Sequence, residues 1–144
     1  MNIKIASVGK IKDRCISEKI REYERRIRHD AKLETVEIRD SGTRVEGAKL
    51  QQIMLRDEAD TVVLSEEGKL YSSKEFSALL GSLGPRILFV IGGPDGLEPD
   101  VKKNSEVILS LSRMTFTHEM ARLFLLEQIF RAISIRKNRK YHRD

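Results

Sequence analysis

The sequence has one cysteine, no tryptophan, three prolines and three histidines. A single cysteine, Cys15, excludes an internal disulfide and a thiolate metal cluster. Beside Ile11 and Ile16 it reads as a half-buried structural residue. His118-Glu119 opens like H-E-x-x-H, but the fifth residue is Arg122, and His29 and His142 offer no second ligand on that face, so no metal is expected. Long apolar runs are missing too. Ile87 to Ile91 and Leu123 to Leu126 fall far short of the roughly 18 residues a membrane span needs, and a mean hydropathy of -0.40 agrees. The opening MNIKIASVGK lacks a charged leader followed by an apolar stretch and a small-residue cleavage site, so a cytoplasmic location without a membrane partner is expected. No repeat, low-complexity tract or Pro/Gly/Ser linker interrupts the 144 residues, which read as one domain, 1–144.

Charge is plentiful but unevenly placed. Lys and Arg number 27 against 22 Asp and Glu, a net charge of +5. Arg136, Lys137, Arg139, Lys140 and Arg143 face only Asp144, so the last nine residues hold +4 of that excess. A second basic cluster, Arg21, Arg25, Arg26 and Arg28, is diluted by Glu18, Glu22 and Glu24. Charge alone leaves two readings of the tail open: a phosphate-contacting element or a solvated, frayed terminus.

Apolar periodicity alternates between two and about 3.6 residues. Ile3 to Val8, ending at Gly9, reads as a strand, and Ile16, Ile20, Tyr23 and Ile27 mark one face of a helix over about 14–28. Leu33 to Ile38 is a strand, 44–58 a helix, and Thr61 to Leu64 a short strand buried on both faces. Ser72 and Glu75 form a capping box for a helix that Gly84-Pro85 ends. Arg86 to Ile91 is the strongest strand, Val107 to Leu111 another, and a helix runs from His118 to about Lys137 with Thr117 as its cap. This alternation implies an α/β fold with a mostly parallel sheet flanked by helices. In such folds ligands sit beyond the carboxyl ends of strands, which here means after Leu64, Ile91 and Leu111.

Several motifs fail. Gly42-Thr43-Arg44-Val45-Glu46-Gly47 starts like a Walker A loop, but Ala48 and Lys49 follow instead of Lys and Ser/Thr. No G-x-G-x-x-G follows the first strand and no G-x-S-x-G is present. Three features survive. Gly92-Gly93-Pro94-Asp95-Gly96 follows a buried strand and allows close approach of a ligand to the backbone, or simply makes a tight turn. Ser112-Arg113-Met114-Thr115-Phe116-Thr117 lies where a second ligand loop belongs; Met114 and Phe116 either flank a planar ring or plug the core beneath the loop. The last helix is apolar nearly all round, and a symmetric dimer is the simplest way to bury the excess; Glu127 and Arg131 stand one turn apart and can pair. After it, Tyr141 can stack on a base, His142 can titrate near neutral pH and Arg143 can grip phosphate.

Taken together, Ile91-Gly92-Gly93-Pro94-Asp95-Gly96-Leu97, Leu109 to Phe116, His118 with Ala121-Arg122 and Leu126-Glu127-Gln128-Ile129-Phe130-Arg131-Ala132, and Tyr141-His142-Arg143 resemble the RlmH family of SPOUT-superfamily methyltransferases. The resemblance is dense from about residue 86 to the end and looser before, through Val8-Gly9-Lys10 and Leu64 to Phe76. Thr117, Lys140 and Ser65 depart from it: the family usually has proline at the first two and commonly aspartate at the third. It implies a SPOUT-type parallel sheet whose C-terminal part forms a deep trefoil knot. It implies S-adenosyl-L-methionine held by three loops, matching Leu64, then Gly92 and Gly93, then Ser112, Arg113, Met114, Thr115, Phe116 and Thr117. It also implies methylation of N3 of a pseudouridine in 23S (large-subunit) ribosomal RNA on the ribosome, and a homodimer that completes RNA reading across its interface, with Tyr141, His142 and Arg143 near the target base. Within that reading His142 is the candidate base, Arg143 stabilises the imide anion or holds a phosphate, and Tyr141 positions the base. The alternative is a non-catalytic RNA- or ribosome-binding factor of the same fold.

Overall fold

A computed structural model describes residues 1–144. Ten elements follow one another: β1 (Asn2–Val8), α1 (Arg14–Arg28), β2 (Lys32–Ile38), α2 (Thr43–Asp57), β3 (Asp60–Leu70), α3 (Ser73–Ser82), β4 (Arg86–Ile91), α4 (Pro99–Lys103), β5 (Val107–Ser110) and α5 (His118–Arg136). The five strands form one sheet in the order β2-β1-β4-β3-β5. Every neighbouring pair is parallel, as the strand–helix alternation predicts.

Direction of travel sorts the helices. Steps toward the β2 edge place α1 and α3 on one face, and steps toward the β5 edge place α2 and α4 on the other, as a single hand of crossover requires. Alternate strand residues therefore feed two cores. Ile3 and Ile5 pack with Ile20 and Ile27 of α1, Phe76 and Leu80 of α3, and Leu125, Leu126 and Ile129 of α5. Ala6 and Val8 pack with Leu50 of α2 and Val101 of α4. β4 lies centrally and is buried on both faces, which is why Ile87 to Ile91 is an unbroken apolar run. The apolar girth of α5 has a matching cause: it lies between α1 and α3 and over β1 and β4.

Both predicted caps form. The Ser72 side chain accepts from the Glu75 amide and the Glu75 carboxylate accepts from the Ser72 amide; Thr117 accepts from the Met120 amide. Three details differ from the sequence reading. Cys15 is exposed, because it stands on the side of α1 away from the Ile16–Ile20 face. α4 is one short helix that five residues are too few to announce by periodicity. β3 does not stop at Leu64 but runs to Leu70, with a register shift against β5 between Leu64 and Lys69. At that excursion Gly68 crosses the β5 backbone so closely that a Cβ would lie 2.5 Å from the Ile108 carbonyl oxygen.

Candidate active site

All five strands point their carboxyl ends the same way, and over those of β3, β4 and β5 lies a cavity of about 580 Å³. Three loops and the start of α5 wall it. The β3 excursion contributes Leu64, Ser65, Glu66 and Glu67; the turn after β4 contributes Ile91 to Leu97; the β5–α5 loop contributes Leu111, Ser112, Met114, Thr115, Phe116 and Thr117. The sequence-predicted positions Leu64, Gly92, Gly93, Ser112, Met114, Thr115, Phe116 and Thr117 thus meet around one space. Arg113 does not line it. Its guanidinium turns to the carbonyls of Glu66 and Gly68, at 2.8 Å for the latter, and ties the β5–α5 loop to the β3 excursion.

The glycine turn is held from beneath. A Cβ at Gly93 would lie 2.8 Å from Val8 Cγ1, and one at Gly92 would lie 2.8 Å from Leu97 Cγ, so larger residues displace the turn that lines the cavity. Glu46 accepts from the Ser41 and Gly42 amides, both at 2.9 Å, beside the same turn. On the far wall, Ser112 accepts from the Met114 amide and fixes the loop that carries Met114 and Phe116. Met114 is 75 % exposed and Phe116 38 %, so neither plugs the core; Phe116 meets Phe124 edge-on at 5.1 Å. His118 closes one corner. Its Nε2 donates to the Lys10 carbonyl at 3.1 Å, and its ring fills the space that the positive φ of Gly9 leaves open.

The C-terminal triplet is ordered and lies elsewhere. Tyr141, His142 and Arg143 line neither this cavity nor the adjoining depression of about 420 Å³ between α3 and α5. The predicted Glu127–Arg131 pair forms, half-buried, and becomes the hub of the tail. The Tyr141 hydroxyl donates to Glu127 Oε1 at 3.0 Å and lies 3.1 Å from the Tyr23 hydroxyl. Burial, then the bonds to Tyr23 and Glu127, push its pKa up, so the phenol stays protonated. Its ring packs edge-on against Phe130 at 4.7 Å and lies under the Arg131 guanidinium.

His142 sits between opposite charges. Arg131 Nη1 lies 3.3 Å from His142 Nδ1, and Nε2 lies 3.2 Å from Asp144 Oδ1. Arginine only donates, so Nδ1 carries the lone pair and Nε2 the proton, which goes to the carboxylate. The tail is not frayed. Lys137 Nζ and both Arg139 terminal nitrogens reach the Asp30 carboxylate at 2.7–2.8 Å, and that carboxylate is only 5 % exposed. The Arg139 and Lys137 hydrogen bonds hold the Asp30 carboxyl well below the usual carboxylate range.

A family model described as "Predicted SPOUT methyltransferase" matches residues 1–142. The chain belongs to the SPOUT methyltransferase family. Its relatives include the ribosomal RNA large subunit methyltransferase H of Acholeplasma laidlawii, 42% identical over 99% of this chain and 100% of that one. The protein of the same name from Synechococcus sp. (strain CC9311) is 43% identical over 97% and 95% of the two chains. Among solved structures, a probable methylase family protein from Haemophilus influenzae Rd KW20 superposes with a TM-score of 0.58 at 13% identity, over 99% of this chain and 70% of that one. The SpoU methyltransferase AviRb from Streptomyces viridochromogenes, solved with its cofactor AdoMet, gives 0.55 at 12%, over 95% and 58%. At such identities those two establish the SPOUT fold alone.

The cavity of this SPOUT methyltransferase fits an adenosyl sulfonium. Its volume falls within the roughly 300–1,000 Å³ of small-molecule sites. Leu64, Ile91, Leu111, Met114 and Phe116 offer apolar walls for a flat heterocycle, and Glu66, Glu67, Asp95 and Lys102 offer acceptors and one cation for polar, charged ends. Glu66, Lys102 and His118 are among the lining residues that sequence reasoning left out of the site. Glu66 comes two residues after the predicted strand end at Leu64, a position that could have flagged it. Lys102 comes from α4 and His118 from a helix start, where no local pattern marked them.

Proposed function

We propose that this chain transfers the methyl group of S-adenosylmethionine to N3 of a pseudouridine in large-subunit ribosomal RNA, as a homodimer working on the assembled ribosome. The observation that carries the reading is the meeting of three strand-end loops around one cavity, with an ordered Tyr141-His142-Arg143 triplet outside it. The names of the full-length relatives support the RNA substrate. A two-fold partner supports the geometry, because it can present its own triplet to a cavity that this protomer's triplet does not reach. The half-covered Phe116–Phe124 pair beside the second depression gives such a partner an apolar seat. The deep knot of the family belongs to the same proposal, as one domain over 1–144.

S-adenosylmethionine supplies an electrophilic methyl carbon. The residues of this chain then have two tasks, to align the acceptor and to take its proton. An imide N–H must be deprotonated before its nitrogen attacks. His142 is the base: when the imide displaces Arg131 from Nδ1, that lone pair faces the imide proton, and Asp144 on Nε2–H stabilises the imidazolium that forms. This is the orienting role a carboxylate plays behind a catalytic histidine. Arg131, displaced by one hydrogen bond, stays tied to Glu127 and its charge faces the developing imide anion. Tyr141 holds the triplet to α1 and α5, and Arg143 reaches phosphate or the anion.

Transfer of label from methyl-labelled S-adenosylmethionine to free large-subunit RNA, isolated large subunits and assembled ribosomes tests the reading. N3-methylated pseudouridine in the ribosome sample is expected. Tight binding to ribosomes with no label in any RNA would instead make the chain a non-catalytic binding factor.

A further inference from the structure

The basic tail is one candidate for phosphate contact, and Asp30 claims its Lys137 and Arg139. Arg136, Lys140 and Arg143 of the tail have no acidic partner, and a longer row of lightly paired cations lies on α1. Arg14, Arg21, Arg25 and Arg28 are separated by seven, four and three residues, spacings that return to the same side of a 3.6-residue helix. All four are exposed. The stripe spans about 21 Å at 1.5 Å per residue. It faces the outer, β2 side of the helix, since Arg28 Nε bonds the Leu33 carbonyl of β2. On the opposite flank Tyr23 packs on Phe130 of α5.

The two flanks differ in how their charge is spent. Toward α5, Lys19 and Arg26 share Glu22, and Arg26 also lies over the Tyr23 and Phe130 rings. Along the stripe, Arg25 has no hydrogen bond or ion pair and Arg21 bonds only the Ser17 hydroxyl. Arg14 meets Glu18 in a solvent-exposed pair at 3.3 Å, an interaction worth little. Arg28 lies 3.7 Å from Glu24, whose other oxygen faces the buried Arg122. Glu37 of β2 is held by Arg122 at 2.9 Å. Four guanidinium groups therefore face solvent, with Glu18 and Glu24 as their only ion-pair partners.

The stripe also has a direction. α1 starts beside the cavity: the Lys12 and Asp13 amides donate to Glu119, the neighbour of cavity-lining His118. We infer that the outer flank of α1 is a phosphate track, on which the sugar–phosphate backbone of an RNA segment next to the target lies while the target base enters the cavity. Guanidinium forks suit phosphate oxygens, and a line of them leading to a cavity matches a polyanionic strand better than a compact acidic ligand. The inference rests on the RNA methyltransferase reading above.

The triple variant R14Q/R21Q/R25Q tests it; Arg28 is left in place because it also meets Leu33 and Glu24, and glutamine keeps the helix. The control, R39Q/K49Q/K103Q, removes the same charge from exposed positions off the stripe. Methyl transfer to large ribosomal subunits and filter retention of those subunits are measured across a salt series. The stripe variant is expected to raise KM about tenfold and to flatten the slope of log affinity against log salt by about 2–3, close to one for each phosphate no longer neutralised. Its kcat, its affinity for S-adenosylmethionine and its Tm stay at wild-type values, and the control variant behaves as wild type. Equal KM and equal salt slopes for the two triple variants overturn the inference, because net charge alone then explains the binding. If wild-type protein transfers no methyl group, the enzyme reading fails, and filter retention still decides whether the stripe holds RNA.

Discussion

Each ring nitrogen of His142 has its own partner, and that asymmetry gives the residue a direction. With Arg131 donating to Nδ1, the free base is that nitrogen. His142→Ala is expected to lower kcat by about 10²–10⁴, the usual share of a positioned base, while calorimetric affinity for S-adenosylmethionine stays unchanged. Unaltered turnover would assign the proton to solvent or to another group. Gly68 gives a prediction of a different kind. Its Cβ position lies against the Ile108 carbonyl, which is backbone and cannot step aside cheaply. Gly68→Ala is expected to shift the β3 excursion that carries Glu66, weakening cofactor binding and lowering Tm together. Wild-type values of both would show that the crossing relaxes freely. The residues of the glycine turn stood out in the sequence because they follow an apolar strand, where either a ligand or a tight turn calls for glycine. Nothing local showed that Arg113, inside the neighbouring motif, serves as a tie between loops rather than a wall of the cavity.

Capping boxes and apolar strands are local chemistry, so Ser72-Glu75 and the β4 run were legible from the residues alone. Removing the Ser72 hydroxyl by Ser72→Ala is expected to cost about 1 kcal/mol, a fall in Tm of about 2–4 °C at this chain length. The C-terminal segment shows the opposite case. Its basic residues leave open a phosphate-contacting element or a solvated terminus, and only the fold brings Asp30 of the α1–β2 corner against Lys137 and Arg139. Partners this far apart in the chain leave no periodicity. The clamp predicts a pH dependence. Asp30's folded pKa is depressed, so its contribution is complete above the unfolded value of about 3.9 and is lost as pH falls below that toward the folded value. Asp30→Asn is expected to speed tryptic cleavage after Lys137 and Arg139 at neutral pH and to lower kcat without touching cofactor affinity. Wild-type cleavage rates in that variant would show that the Tyr141–Glu127–Arg131 contacts hold the tail by themselves.

At the scale of the whole molecule, the cavity and the terminal triplet are separate within one chain. A site completed by a two-fold partner predicts complementation. A cavity variant, Gly93→Val, and a tail variant, His142→Ala, each inactive alone, are expected to recover methyl transfer when unfolded and refolded together, because a mixed dimer retains one intact pairing. No recovery from such mixtures would place the triplet and cavity of one chain in the same site. Parallel pairing followed from the alternation of elements, whereas this separation did not, because it depends on where α5 returns across the sheet. Every functional step above depends on the cavity over the carboxyl ends of β3, β4 and β5 taking S-adenosylmethionine. Calorimetric titration of the purified protein with S-adenosylmethionine, S-adenosylhomocysteine and ATP, repeated on Gly93→Val, decides it. Saturable binding of the two adenosyl sulfur ligands is expected, with none of ATP, and with loss of both in the variant. Binding of S-adenosylmethionine that survives Gly93→Val, or binding of ATP in its place, would refute the assignment of the cavity.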